Sequence, residues 1–447
     1  MPSLVGRHAV VIGAGIAGLA AARGLSSLFT QVSVLERDDL PTTPAARAGT
    51  PQAQQVHVLL RGGLDALRQV VPTLESDLEC AGAVRVRVGS ESRLEVPEVG
   101  HFPMRDLGFD FFSMTRPLLE WVLRERVRQV RNVEIKPRCR ATRLLTSWAS
   151  RAVTGVCFEA EDGHNRELAA DFVIDASSRG ALSLAALGEI GAPKPEETEI
   201  GVDLRYATAM FEIPPSPPDA WRAVLHRPSV QTGRGGLLVP VEGGRWQVNL
   251  TAMHGGQVPE TVEDFIAFAK TLRTPTIHDA IVRAAPLGPV RRFGFPSSVR
   301  RRFEDLDTFP RGLLPLGDAV CRFNPAFGQG MSVAAQELAI LLKLIADREP
   351  TGDPLKGLAG SYFTAIQDVL AAPWSVAEGD FAYDKTLGRR PSDLAQRLRF
   401  NRALQQLAAE DGAVHRLMSE VSHLVRSPAA LRDPHIVSRV TAIMDSI

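Results

Sequence analysis

The sequence predicts an α/β chain with a Rossmann-type dinucleotide-binding domain, a β-rich second domain and a helical C-terminal region. Three observations carry this prediction. An apolar strand at 8–12 runs into Gly13-Ala14-Gly15-Ile16-Ala17-Gly18 and then a helical stretch; a second strand at 31–36 ends on Glu36; and a further strand–turn–helix with clustered glycines falls at 313–331. The 447 residues leave room for two or three domains.

The elements follow in order. The βαβ start is followed by a polar, Pro-rich connection over 38–63 that contains Arg47, Gln52 and His57. Residues 64–78 read as one helix. In the stretch 116–130 a proline in the first turn and apolar residues at Leu119, Val122, Leu123 and Val127 predict an amphipathic helix. Alternating segments at 133–145 and 152–160, a turn at Asp162-Gly163 and the apolar strand 172–175 come next. A β-rich stretch spans 199–252, a helical piece 262–285, and the tail beyond 352 reads as mostly helical.

Composition narrows the class. An apolar fraction of 45% and a charged fraction of 23% belong to a globular chain, not a disordered or fibrous one. Fifty-one basic residues balance 51 acidic ones, so no overall field recruits nucleic acid or an anionic membrane. The four cysteines form no CxxC pair, which argues against a disulfide framework or a zinc site and predicts a reducing, cytoplasmic setting. The longest uncharged apolar stretch, 8–22, is too short to span a bilayer, and no metal or membrane span is expected.

The glycine spacing has a mechanical reading. Gly13 permits a tight turn, Gly15 lets backbone approach a pyrophosphate, and Gly18 lets helix and strand pack closely. Unsatisfied N–H groups at the helix start then face the phosphates. Glu36 is placed to accept from ribose hydroxyls; the alternative is a purely structural βαβ unit. The late segment runs Gly317-Asp318-Ala319, Asn324-Pro325-Ala326-Phe327-Gly328-Gln329-Gly330-Met331 and into an apolar helix.

Together these two motifs resemble the group A FAD-dependent monooxygenase superfamily, with its aromatic-hydroxylase-like fold. The wording of Thr50-Pro51-Gln52, His57 to Leu60, Arg116 to Trp121, Asp175 to Gly180 and residues 317–335 is similar to squalene-epoxidase-like polyether epoxidases of the lasalocid and monensin type. The resemblance covers about residues 5–340. It implies FAD as cofactor, O2 as co-substrate and a flavin C4a-hydroperoxide that epoxidises an alkene in a lipophilic polyketide or terpenoid. It implies that Asp318 binds a ribityl hydroxyl and that the helix after Gly330 points its N-terminus at the flavin. It also places Gly13 to Gly18, Glu36, Arg37, Arg47, Arg116, Asp175, Gly317, Pro325 and Gly328 to Met331 at the cofactor, and His57, Arg322 and Phe327 towards the substrate.

Several readings stay open beside it. Arg47 is a cofactor contact or an exposed loop arginine; Arg116 is a cofactor contact or a helix-surface one; His57 is a flavin-edge group or a structural histidine. Arg322 stands where the family has a small residue, either at the substrate mouth or turned to solvent. Ser178 stands where the family has glycine. The arginines at 291, 292 and 300–302 read as a solvated face. No catalytic acid or base is assigned, and none of the three tyrosines lies in a segment expected beside the flavin. The lack of a second GxGxxG implies that NAD(P)H reduces the flavin without its own domain, or that a partner flavin reductase supplies reduced FAD. The WxWxIP signature of tryptophan halogenases is missing. The rival reactions are phenol hydroxylation and flavin-dependent isoprenoid reduction, and the rival class is a non-catalytic FAD-binding partner protein. The expected division is a discontinuous FAD domain from 1–75, 108–185 and 291–350, a substrate domain from 76–107 and 186–290, and a helical region 351–447.

Overall fold

The computed structural model describes residues 4–446 except 98, 219 and 349–351. The boundary expected at 350–351 lies outside the described residues, as do residues 1–3 and 447.

The chain is an α/β fold. Strands β1 (Gly6–Ile12) and β2 (Phe29–Leu35) are joined by helix α1 (Ile16–Leu25). Helix α2 (Arg116–Arg128) leads into β3 (Val133–Lys136); β4 (Phe172–Asp175) and β5 (Leu313–Pro315) follow. These strands form one parallel sheet in the order β5-β4-β1-β2-β3. Ala9, Val10 and Val11 are fully buried, as a continuous apolar run must be when a parallel sheet is covered on both faces. Helix α2 starts where the sequence says it should: the Thr115 hydroxyl caps Leu118 N–H, with Pro117 in the first turn. Helix α3 (Gly330–Ala346) packs against α1. The helix expected over 64–78 is two helices, Arg61–Val70 and Leu74–Cys80, because Pro72 cannot donate to the ladder.

A small antiparallel sheet of Arg140–Ser147, Ala152–Glu159 and Asn165–Ala169 lies between β3 and β4 in sequence. The larger sheet has eight strands, centred on Glu197–Glu212 between Arg291–Arg301 and Arg245–Ala252. One of its faces buries Ala207, Phe211, Trp246 and Val248 under the helices Val262–Ala269 and Thr276–Ile281. The other turns Ile200, Val202, Leu204, Tyr206 and Phe295 into the same core as α1 and α3. The pairing of Glu197–Glu212 with Arg291–Arg301 shifts register between Gly201 and Leu204, while Ile200, Val202, Leu204 and Tyr206 keep the same facing. Helices Leu358–Ala365 and Gln367–Glu378 join this core through Tyr362, Phe363, Leu370 and Trp374, whereas those beyond 394 cluster on Val96 and Phe102. Among the described residues, no helix is long and apolar enough to cross a membrane, and no group of His, Cys, Asp and Glu is placed to hold a metal.

Candidate cofactor site

Sterics assign the three glycines of the first turn different duties. Gly13 has φ +97, and a Cβ there would lie 2.9 Å from the Ala176 carbonyl. A Cβ on Gly18 would stand 1.9 Å from the Gly13 carbonyl, so only glycine lets α1 close on β1. Gly15 differs: a Cβ would meet just one atom within 4 Å, Arg116 Nη2 at 3.9 Å. The space before Gly15 is open, and an arginine stands across it.

Arg116 gives that space its sign. Its Nε is buried with no hydrogen-bond partner. Burial lowers its pKa, with Glu120 and Asp318 pulling it back up. The N-terminus of α1 has no side-chain cap, and neither has that of α3, so the first-turn N–H groups of both helices are free of side-chain acceptors. The two glycine-rich segments meet: a Cβ on Gly317, which has φ +67, would lie 3.7 Å from Ala17 Cβ. Asp318 Oδ1 lies 3.6 Å from where a Gly330 Cβ would be. Burial raises the Asp318 pKa, against the charges of Arg116, Arg322 and Arg301. His57, Arg116 and Asp318 are each half-buried, and burial is the largest influence on the pKa of all three. An orphaned guanidinium, two uncapped helix starts and an open glycine fit the pyrophosphate and ribityl chain of FAD.

The acidic end of β2 is already engaged. Glu36 Oε2 accepts from Ala14 N–H at 2.8 Å and Oε1 from Asp38 N–H at 3.0 Å. Arg47, 5% exposed at its side chain, pairs with Glu36, Asp38 and Glu120 at 3.0, 2.8 and 2.7 Å. Burial opposes its charge, but the hydrogen bond to Glu120 and the surrounding carboxylates raise its pKa above the usual arginine value. Two of the roughly four acceptor positions of Glu36 are thus taken by N–H groups, and the Arg47 ion pair lies against one of the same oxygens, which leaves room for a ribose hydroxyl. Arg47 is not an exposed loop residue; it braces Glu36 from behind. Arg37 is exposed and donates to the Gly49 carbonyl at 3.3 Å.

Asp175 is fully buried, and both its oxygens are used within its own turn, by Ser177 at 2.5 Å and Ser183 at 2.7 Å. Ser178 adopts φ +67, a left-handed conformation that favours glycine. Gly317 N–H donates to Glu337 Oε2 at 2.7 Å. Glu337 is fully buried; burial pushes its pKa up to about 8, although Gly317 N–H and the Tyr362 hydroxyl favour the carboxylate. Arg301 donates to the Ala319 carbonyl at 3.1 Å, and Arg300 is buried. The arginine run is therefore only partly a solvated face: Arg291 and Arg292 are exposed, but Arg301 holds the turn after Asp318.

On the substrate side, Pro325 is exposed and Ala326 and Phe327 are half-buried, while Gly328 takes φ +66 to reverse the chain. Gln329 is buried with an unpartnered Oε1, and Met331 is half-buried in the first turn of α3. His57 Nδ1 lies 2.9 Å from the Gln55 carbonyl; burial and the nearby Arg116 lower its pKa to about 3, so the ring is neutral. Arg322 donates to the Ser297 carbonyl at 3.1 Å and lies over the Phe295 ring at 5.4 Å, with Nε unpartnered. The segment before His57 docks on the large sheet, where Thr208 donates to Gln55 at 2.6 Å and Gln247 to the Gln54 carbonyl at 3.1 Å.

Tyr206 stands beside the loop 324–327, a neighbourhood the sequence reading did not assign to it: its hydroxyl is buried, and burial with the charge of Asp380 raises its pKa, against the pull of Ala326 N–H. Glu337, Arg301, Tyr206 and Asp380 carry no motif of their own. The one advance signal was the strand alternation around Tyr206.

The model of the FAD binding domain family matches residues 7–355. Protein Rv3254 of Mycobacterium tuberculosis is 34% identical over 390 residues, covering 84% of this chain and 80% of that protein. In structure, the chain is similar to the flavin-dependent brominase Bmp2, with TM-score 0.66, 15% identity and coverage of 93% of this chain and 94% of that one. It is also similar to pqsL, a probable FAD-dependent monooxygenase from Pseudomonas aeruginosa, with TM-score 0.59, 17% identity and coverage of 85% and 98%.

Proposed function

The chain belongs to the FAD binding domain family, and on that premise we propose that it is an FAD-dependent monooxygenase of a small organic molecule. The observation that carries the reading is the meeting of the two glycine-rich segments, with Arg116, its Nε buried and unpartnered, across an open Gly15. Residues 14–18 and Arg116 would hold the pyrophosphate, a remaining acceptor position of Glu36 a ribose hydroxyl, and Asp318 the ribityl chain. The uncapped start of α3 would offer its N–H groups to the electron-rich edge of the ring. When bound and reduced, FAD supplies the electrons that activate O2 for transfer to an unsaturated carbon. The protein's own part is to bind, orient and exclude water. NAD(P)H is the proposed reductant, either directly or through a partner reductase.

Two oxygenations divide this reading. Epoxidation of an alkene in a lipophilic natural product is supported by the likeness of residues 50–60 and 317–335 to polyether epoxidases. Hydroxylation of a phenol is supported by Tyr206 beside the 324–327 loop and by the polar wall of Thr208, Gln247 and Asn249. The likeness weighs for epoxidation and Tyr206 beside the loop for hydroxylation, and we rank hydroxylation first on the second ground. Turnover under labelled O2 tests both. One labelled oxygen in the product supports a monooxygenase; a reduced, unlabelled product supports a reductase, and a brominated product in bromide buffer a halogenase. An epoxide from a polyene probe restores the first reading.

A further inference from the structure

Residues 379–388 follow the two helices that join the main core, and they are stapled to the long strand Glu197–Glu212. Gly201 and Leu387 exchange both backbone hydrogen bonds, at 2.8 and 3.0 Å. The Thr386 hydroxyl donates to the Asp380 carbonyl at 2.6 Å. A Cβ on Gly388 would lie 2.4 Å from the Glu199 carbonyl, so the chain passes this strand at backbone contact. Held in this way, Asp380 is buried, 5% exposed.

Its carboxylate does not serve its own segment. Oδ2 accepts from Asn324 Nδ2 at 2.9 Å, and Asn324, 1% exposed, accepts from Ala326 N–H at 3.0 Å through Oδ1. Both ends of the Asn324 side chain are thereby used, one inside the loop that leads into α3 and one on a segment 56 residues further along. Around Asp380 stand Asn324 from the loop, Tyr206 from the long strand and Thr386 from its own segment; among the described residues no arginine or lysine pairs with it.

Resting on the FAD reading above, we propose that Asp380 is a positioning residue of the cofactor site, fixing the turn 324–328 through Asn324 from outside both glycine-rich motifs. The motif 317–331 does not shape itself: the residue before Pro325 is held from behind by the C-terminal part of the chain. Burial raises the Asp380 pKa to about 7, with the Asn324 hydrogen bond opposing the rise. The contact needs only an acceptor at position 380, which an amide also provides.

The test measures FAD affinity by flavin fluorescence quenching, and the visible spectrum of the bound flavin, on the full chain at about pH 8.5, above the Asp380 midpoint. The variants are Asp380→Asn, Asp380→Ala, Asn324→Asp and the swapped pair Asn324→Asp/Asp380→Asn, with Gly15→Val as control. Asp380→Asn is expected within about threefold of wild type, and Asp380→Ala about tenfold or more weaker, because a buried amide is left without its acceptor. Asn324→Asp sets two carboxylates against each other and weakens binding at least as much. The swap recreates donor and acceptor with their roles reversed and restores both affinity and spectrum. Wild-type affinity in Asp380→Ala, or a swap no better than Asn324→Asp alone, overturns the proposal. Should Asp380→Ala not fold by circular dichroism, the swap decides. Binding by wild type and loss in Gly15→Val, with every Asp380 variant normal, overturns this proposal and leaves the FAD reading standing; a wild-type chain that takes up no FAD overturns both.

Discussion

Substituting the three glycines of the first turn separates binding from folding. Gly15 has φ −76, which any residue adopts, and a new Cβ meets only Arg116 Nη2 at 3.9 Å. Gly15→Val therefore costs the empty protein little: the loss at an N-cap and the gain from a stiffer unfolded chain are each about 1 kcal/mol or less. For a chain of this size that moves Tm by no more than about 2 °C. The side chain does, however, fill the space between Gly15 and the guanidinium. If two charge-assisted hydrogen bonds to a phosphate are lost, at about 1.5–3 kcal/mol each, FAD affinity falls by about 10²–10⁴-fold. Gly18→Ala has the opposite profile: its Cβ would stand 1.9 Å from a backbone carbonyl, and overpacking of this kind costs about 1–3 kcal/mol or more before any ligand is added. Apo-protein melting by circular dichroism and flavin quenching titrations read the two effects separately. Wild-type FAD affinity in Gly15→Val refutes the placement of the pyrophosphate; an apo-protein melting far below wild type refutes the claim that the space is open.

Asp318→Ala is expected to weaken FAD binding by about one to two decades, the worth of one charge-assisted hydrogen bond, with the flavin titration as the check. Ser178→Gly relieves a left-handed conformation at an exposed residue and should stabilise the chain by about 1 kcal/mol in urea denaturation; a lower midpoint contradicts the strain argument. Glu337 holds its proton up to about pH 8 in the fold but only to the ordinary carboxyl range when unfolded. The raised native pKa means its stabilising contribution is fully present below about pH 4.5 and is lost as pH rises through about 8. Glu337→Gln should flatten that part of the stability profile, and an unchanged slope in Tm against pH contradicts the assignment.

The fold class was legible because its signals are local. A carbonyl 1.9 Å from a would-be Cβ leaves no residue but glycine at position 18, and the apolar runs of a parallel sheet announce themselves without their partners. The break in the 64–78 helix is also local, since Pro72 stands in the middle of it. What stayed hidden depends on register and distance. The alternation of the long strand shows which way Tyr206 faces, but no local pattern reports that the loop 324–327 lies on that side. Asp380 meets Asn324 across 56 residues, and Arg301 reads as one more surface charge until β5 is seen to bring the 318–319 carbonyls to it. Glu337 sits in an apolar helix where composition predicts a core residue, yet it accepts the Gly317 N–H.

The central claim, that two glycine-rich segments about 300 residues apart build one FAD site, is tested most directly by the flavin itself. The protein, purified and heat-denatured, should release non-covalent FAD at about one per chain, identified by chromatography and mass spectrometry, and Gly15→Val prepared alongside should release almost none. Release of FMN, flavin retained on the denatured chain, or equal FAD from both proteins would contradict the account.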